Sequence, residues 1–266
     1  MKKKLTLHDL FQAKKQKQQL TEVNTDDPVE AQACEAAGVE MLVTCAPNTR
    51  MIHEAAPNTF LTAGCGINDP AMASEDAALA VGFQALVDGA DAVYTGQSCD
   101  RVQAMAREKI PCIGHVGYVP YRSSWYGGPR AIGKTADEAI QVYRDTLAYQ
   151  EAGAIAVEME IVPHRVASEI AKRVDILIIS MGSGVGGDVQ YLFAEDVLGI
   201  NTGHVPRHAK VYADLHSELQ RIQQIRIDAF AALQREVSSG AYPEPKHLLK
   251  VDEWEFDAFL SGIDGE

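Results

Sequence analysis

The side chains with most chemistry to offer lie between Pro111 and Gln190, in the runs PCIGHVGYVP, AIAVEMEIVP and DILIISMGSGVGGD. Each is a strand-like apolar stretch ending in glycine, proline and ionisable residues. A barrel of parallel strands carries its chemistry at the carboxyl ends of its strands, so three such endings in succession mark an active-site rim and the chain as an enzyme. Glu158 and Glu160 stand two apart on one strand, which points both carboxyls to the same side of the wall. Carboxylates in an apolar strand are costly unless paired or used, and the burial that makes them costly raises their pKa and suits one of them to act as a general base.

His115 sits between glycines at a strand end, where it is either a site residue or a structural histidine bonded to backbone. The run GSGVGG, 182–187, has GxGxxG spacing after a strand, but no later β-α-β unit supplies the acidic ribose ligand of a dinucleotide site. A nest of main-chain amides converging on a carboxylate or phosphate is the favoured reading, with Gly182, Ser183 and Gly184 as substrate contacts.

These residues need a frame, and the rest of the chain supplies one. QLTEVN, EMLVTCAPN, TFLTAGCGIN, DAVYTGQS, Cys112–Val116, Ala154–Glu160 and Asp175–Ser180 read as strands, separated by helical stretches with their own start and stop signals. Asp27 and Pro28 open one helix and Gly38 ends it, Ser74 caps another before Gly89, and Thr135 with Glu138 forms a capping box. Seven or eight such units at a length of 266 residues favour a closed (β/α)8 TIM-type barrel as one α/β domain over 1–266. An N-terminal helix within 1–18 reads as a lid or an oligomer contact. Leu215–Val237 reads as a long C-terminal helix, with a tail at 241–266.

Composition narrows the partners. Lys and Arg number 24 against 37 Asp and Glu, a formal charge of −13 that leaves no basic face for nucleic acid. The opening MKKKLTLHDLFQAKKQKQQ lacks the apolar core of a signal peptide, and no run of about 18 apolar residues occurs, so a cytoplasmic protein without a membrane partner is expected. The five cysteines, odd in number and without CxxC spacing, read as reduced thiols.

GHVGYVP, GGPRAIGKT, AYQEAGAIAVEMEIVP, MGSGVGGDVQ and EDVLG resemble ketopantoate hydroxymethyltransferase, a family of the phosphoenolpyruvate mutase and isocitrate lyase superfamily. The likeness is specific from Pro111 to Gly199 and fainter elsewhere. It implies a (β/α)8 barrel, a pentameric or decameric homo-oligomer, and transfer of a one-carbon unit from methylenetetrahydrofolate to the carbon beside the keto group of a small α-keto acid. It puts the family's catalytic glutamate at Glu160, as the proton-abstracting base, and its motif histidine at His115.

The first half of the family's site is changed here. The resemblance places Cys45 and Gly64 where the family has metal-binding aspartates, Tyr94 where it has a lysine, Gly96 where it has a carboxylate, and Asn24 at the end of the first strand. Magnesium demands hard oxygen ligands, so Mg²⁺ is not expected at these positions. Two replacements present themselves. One is zinc on ligands that include Cys45 and His115. The other is a metal-free site in which Tyr94, His115 and backbone amides polarise the substrate, Glu158 lies beside it, and Cys45 is a nucleophile or a packed thiol. The leading expectation is a ketopantoate hydroxymethyltransferase-like enzyme with Glu160 as base. A metal-independent lyase or hydrolase of the superfamily, and a non-catalytic binding or scaffold barrel, are the alternatives.

Overall fold

Asp9 accepts a bond from Thr6 N at 2.8 Å and returns its own N–H to Thr6 Oγ1 at 3.3 Å, and this reciprocal box starts the first helix, α1 (Leu7–Gln16). The computed structural model describes residues 3–66 and 69–264. After α1 come β1 (Leu20–Asn24), α2 (Pro28–Ala37), β2 (Met41–Cys45), α3 (Thr49–Ala55), β3 (Phe60–Cys65), α4 (Glu75–Val87), β4 (Ala92–Thr95) and α5 (Cys99–Arg107). Then follow β5 (Cys112–Gly117), α6 (Ala136–Glu151), β6 (Ala156–Glu160), α7 (His164–Ala171), β7 (Leu177–Met181), β8 (Val189–Phe193) and the single turn α8 (Ala194–Val197).

The strands are parallel and close into a barrel in sequence order, β8 pairing back onto β1 through Leu20 opposite Val189 and Glu22 opposite Tyr191. Alternation divides every strand between two cores. Met41, Phe60, Ala92, Ile113, Ala156, Leu177 and Val189 fill the barrel interior, whereas Val93, Cys112, Val157 and Ile178 face the helices outside. Leu10 and Ala13 of α1 join the interior set, and Lys4 and Lys14 pair with Asp91 and Asp188 at the starts of β4 and β8. The N-terminal helix therefore closes the floor of the barrel, opposite the strand ends that carry the chemistry, and is not a lid over them.

The eighth strand is missing from the sequence reading because the β7–β8 connection contains no helix. The glycine run 182–188 itself makes the crossover. Gly184 has φ +87°, and a Cβ there would lie 2.5 Å from His164 Cβ, so glycine lets the loop lie flat against α7. The capping box expected at α6 is half formed. Glu138 N donates to Thr135 Oγ1, but the Glu138 carboxylate turns outward to accept from Gly133 N and Lys134 N and to pair with Arg130.

Where the sequence reads as one domain over 1–266, the contacts divide the chain into a barrel unit, Met1–Ala213, and a helical unit, Asp214–Glu266. The second unit holds α9 (Leu215–Ser239) and α10 (Glu253–Ile263), the latter within the stretch read as a tail, and neither helix has a buried residue. Among the described residues no helix is long and apolar enough to cross a membrane.

Candidate active site

At the carboxyl ends of the strands the barrel opens into a cavity of about 310 Å³. Cys45, Gly64, Tyr94, His115, Glu158 and Glu160, six of the residues singled out from the sequence, line it together. The cavity is also bounded by Asn24, Met181, Tyr191 and Phe193, of which the three on β7 and β8 were not picked out from sequence.

His115 organises the centre. Its ring lies between Glu158, with Oε2 3.6 Å from Nδ1, and Glu160, with Oε2 3.3 Å from Nε2. Closer partners hold both nitrogens: the Tyr94 hydroxyl is 2.8 Å from Nδ1, and the Tyr118 carbonyl oxygen is 2.8 Å from Nε2. A carbonyl only accepts, so Nε2 carries a proton in every state. Burial alone would lower the pKa of His115, but Glu158 and Glu160 outweigh burial and push it up to about 9. At neutral pH Nδ1 is therefore protonated too and donates to the Tyr94 oxygen, which leaves the Tyr94 O–H free to donate into the cavity.

Glu158 does not behave as the simple ion-pair partner of this imidazolium. Burial raises its pKa, and His115 opposes that shift without reversing it. Glu158 shares the one imidazolium with Glu160 and is the more buried of the two carboxyls. Burial also raises Tyr94 well above the usual phenol range, with Glu158 and Glu160 adding to the effect, so its proton stays on.

Glu160 is the more open carboxyl, its side chain 13% exposed against 4% for Glu158. The backbone turns sharply just beyond it: Ile161, a β-branched residue, has φ +50°. A left-handed conformation at such a residue costs on the order of 1–3 kcal/mol and persists where the surroundings impose it, often at a functional site. Here the Ile161 N–H is bonded to the Met181 carbonyl and the Tyr118 N–H to the Glu160 carbonyl, which fixes the end of β6 between β5 and β7.

Asp26, not recognised from sequence, lies behind Cys45 and accepts from Thr44 Oγ1 at 2.6 Å and from Cys45 N at 2.8 Å. Burial and Asp26 push the Cys45 thiol up to about 11, which holds it in the protonated form at neutral pH rather than as a thiolate nucleophile. Among the described residues no three His, Cys, Asp or Glu side chains converge at metal-ligand spacing.

The glycine run does not reach the cavity. Gly182, Ser183 and Gly184 are absent from its lining. Ser183 Oγ is spent on backbone, donating to the Met159 carbonyl at 2.8 Å and accepting from Val162 N at 2.9 Å, and Gly184 O accepts from Ser180 Oγ and Gln190 Nε2. Ser183→Ala is expected to lower stability by about 1–3 kcal/mol, because the buried Val162 N–H loses its acceptor, while leaving ligand affinity unchanged. Urea denaturation and calorimetric titration measure the two separately. Unchanged stability with lost affinity would return Ser183 to the substrate.

Residues 44–245 match the model of the family described as ketopantoate hydroxymethyltransferase. The chain belongs to that family. It is similar to the 3-methyl-2-oxobutanoate hydroxymethyltransferase of Hyperthermus butylicus, 32% identical over 266 residues, with 91% of this chain and 89% of that protein covered. A relative in Methylibium petroleiphilum is 28% identical over 288 residues, covering 99% and 95%. The match to the Acetivibrio thermocellus protein is 39% identical over 158 residues and spans 59% of this chain but only 53% of that relative.

Among solved structures the fold resembles phosphonopyruvate hydrolase in complex with oxalate and Mg²⁺, with TM-score 0.54, 13% identity, and 98% of this chain and 99% of that one covered. It also resembles 2,3-dimethylmalate lyase, of the phosphoenolpyruvate mutase and isocitrate lyase superfamily, with TM-score 0.52, 14% identity and coverage of 98% and 100%. These likenesses are to the fold. The protein is a ketopantoate hydroxymethyltransferase-like enzyme, and Glu160, His115, Cys45, Gly64 and Tyr94 line one cavity at its strand ends.

Proposed function

We propose that the enzyme makes or breaks a carbon–carbon bond at the carbon beside the carbonyl of a small α-keto acid, with Glu160 as the general base. The observation that carries this reading is the convergence of Glu160, His115 and Tyr94 on one cavity at the strand ends. Glu160 takes the proton from that carbon, the bonding pair moves into the new C=C bond, and the carbonyl oxygen becomes an oxyanion. The Tyr94 O–H, turned into the cavity by the protonated His115 behind it, donates to that oxygen. In the transferase direction methylenetetrahydrofolate is the proposed source of the one-carbon unit: water replaces its carbon–nitrogen bonds and tetrahydrofolate leaves, and the enolate carbon attacks the resulting formaldehyde, whose C=O pair takes a proton to become the hydroxyl of the hydroxymethyl group.

Polarisation in this reading is metal-free. A zinc ion does not fit Cys45 and His115, since both imidazole nitrogens already have partners and, among the described residues, no three His, Cys, Asp or Glu side chains converge to hold a metal. Glycine and cysteine give Mg²⁺ no hard oxygen. Assembly as a homo-oligomer belongs to the same proposal, supported by apolar side chains such as Phe230 and Trp254 that α9 and α10 leave exposed.

Proton NMR in D₂O containing EDTA tests the reading without a one-carbon donor. The enzyme should exchange the C3 proton of 3-methyl-2-oxobutanoate at least ~10²-fold faster than buffer, the size of contribution expected of a placed general base. If 3-methyl-2-oxobutanoate, pyruvate and 2-oxobutanoate all exchange at the buffer rate, the base assignment is overturned.

A further inference from the structure

An enolate generated at Glu160 carries negative charge, and the cavity offers it no ordinary cation. None of the described residues lining it is Lys or Arg. The imidazolium of His115 has both N–H groups committed, one to the Tyr94 oxygen and one to the Tyr118 carbonyl. Tyr94 supplies one donor. A transition state of this kind is best held by two or more donors fixed in advance, and of the other polar side chains that line the cavity, Asn24, Thr44, Cys45, Tyr191 and Glu158, it is Glu158 that stands on the same strand face as Glu160, two residues before it on β6.

We propose that Glu158 is the second oxyanion donor of the site: a carboxylic acid whose O–H joins that of Tyr94 on the carbonyl oxygen while Glu160 removes the proton from carbon. The inference rests on the reading of Glu160 as base. Its step balances without a further reagent, since the substrate proton passes to Glu160, the C–H pair becomes the C=C bond, and the charge on oxygen is shared by two O–H groups that keep their protons.

The surroundings of Glu158 favour this division of labour. It is buried, and its Oε2 stands 3.6 Å from His115 Nδ1, outside normal hydrogen-bond length, because the Tyr94 oxygen is already there at 2.8 Å. The titratable groups that face it are His115 on β5, Tyr94 on β4, Glu160 on its own strand, Tyr191 on β8 and Glu22 on β1. Only His115 among them is positive, and it is shared with Glu160.

Glu22 lies deeper, wholly buried. Neither of its carboxyl oxygens, nor the hydroxyl of Thr62, has a hydrogen-bond partner among the described residues. Burial and the nearby Glu158 raise the Glu22 pKa well above the carboxylate range, and the Thr62 hydroxyl offsets this only slightly from outside hydrogen-bond geometry. No basic residue therefore pairs with Glu158 from below. One carboxylate open enough to act as base and one buried enough to stay an acid, side by side, is how two glutamates divide acid and base roles.

Two variants and two readouts test the proposal. Glu158→Gln keeps a donor that does not titrate. It should hold the exchange rate within about tenfold of wild type and abolish the alkaline fall that Glu158 ionisation imposes. Glu158→Ala should lose about 10²–10³-fold in kcat with KM little changed, the usual result of removing one oxyanion donor. Oxalate, a planar mimic of a keto-acid enolate, gives a readout free of turnover. By calorimetry in EDTA, its affinity for wild type should fall about tenfold per pH unit above the Glu158 ionisation, and that for Glu158→Gln should stay flat over the part of this range in which His115 keeps its proton. Full activity in Glu158→Ala, a wild-type affinity that does not vary with pH, or no oxalate binding at any pH overturns the proposal. Failure of wild type to exchange the substrate proton while oxalate shows the expected pH dependence strikes instead at Glu160.

Discussion

Glu160→Gln is expected to lower the C3 exchange of 3-methyl-2-oxobutanoate by about 10²–10⁴-fold, the range over which a positioned base contributes. The amide has nearly the size of the carboxyl and can still accept from His115, whose Nε2 stands 3.3 Å from the Glu160 oxygen, but it does not take a proton from carbon. The loss should fall on kcat, with oxalate affinity changed far less. A second consequence separates removal of the base from general damage. Glu160, 3.3 Å from His115 Nε2, helps to raise the His115 pKa to about 9, so the variant should show a lower His115 pKa, visible as an imidazole titration in NMR. A variant that exchanges within threefold of wild type would leave Glu160 without the role, whatever its effect on His115.

That Glu158 and Glu160 share one face of one strand was legible in the sequence, because alternation alone puts them there. The barrel was legible for a similar reason: strand-like runs separated by capped helices leave few other closures. What escaped depends on how strands meet. Tyr94 reaches His115 because β4 and β5 pair with Tyr94 opposite Ile113, and no property of either strand by itself fixes that register. Tyr191 and Phe193 were invisible as site residues because β8 follows a glycine run that imitates a ligand loop, and only the packing of that run on α7 distinguishes a crossover from a nest. The left-handed Ile161 breaks the local preference of its residue type, so local rules do not foresee it. Glu22 is the extreme case. In QLTEVN it looks like the polar half of an edge strand, and only closure of β8 onto β1 encloses it.

The enclosure of Glu22 yields the largest expected effect on stability. Its pKa is raised well above the usual carboxylic-acid value of 4.5, chiefly by burial and further by Glu158. A group that holds its proton more tightly when folded contributes stability that is complete below its unfolded pKa and is lost as pH rises toward the folded one. Above about pH 4.5 the unfolded chain releases the Glu22 proton and the barrel does not, which costs about 1.4 kcal/mol per pH unit for that proton. Glu158, also raised, acts in the same direction from the same starting point. His115 joins later: its contribution is intact below 6.5 and is lost as pH rises through about 9. Wild-type stability should therefore fall steadily from about pH 5 to pH 8, where a protein dominated by paired surface carboxylates would hold or gain. Glu22→Gln fills the same space without a titratable proton, and any cost of burying its amide is the same at every pH. Urea unfolding at a series of pH values should show the slope for the variant reduced by about one proton, with the residue of the slope below pH 6.5 belonging to Glu158 and the increment above it to His115. Parallel slopes for the two proteins would mean that Glu22 ionises in the folded barrel, and that the floor beneath Glu158 carries a charge.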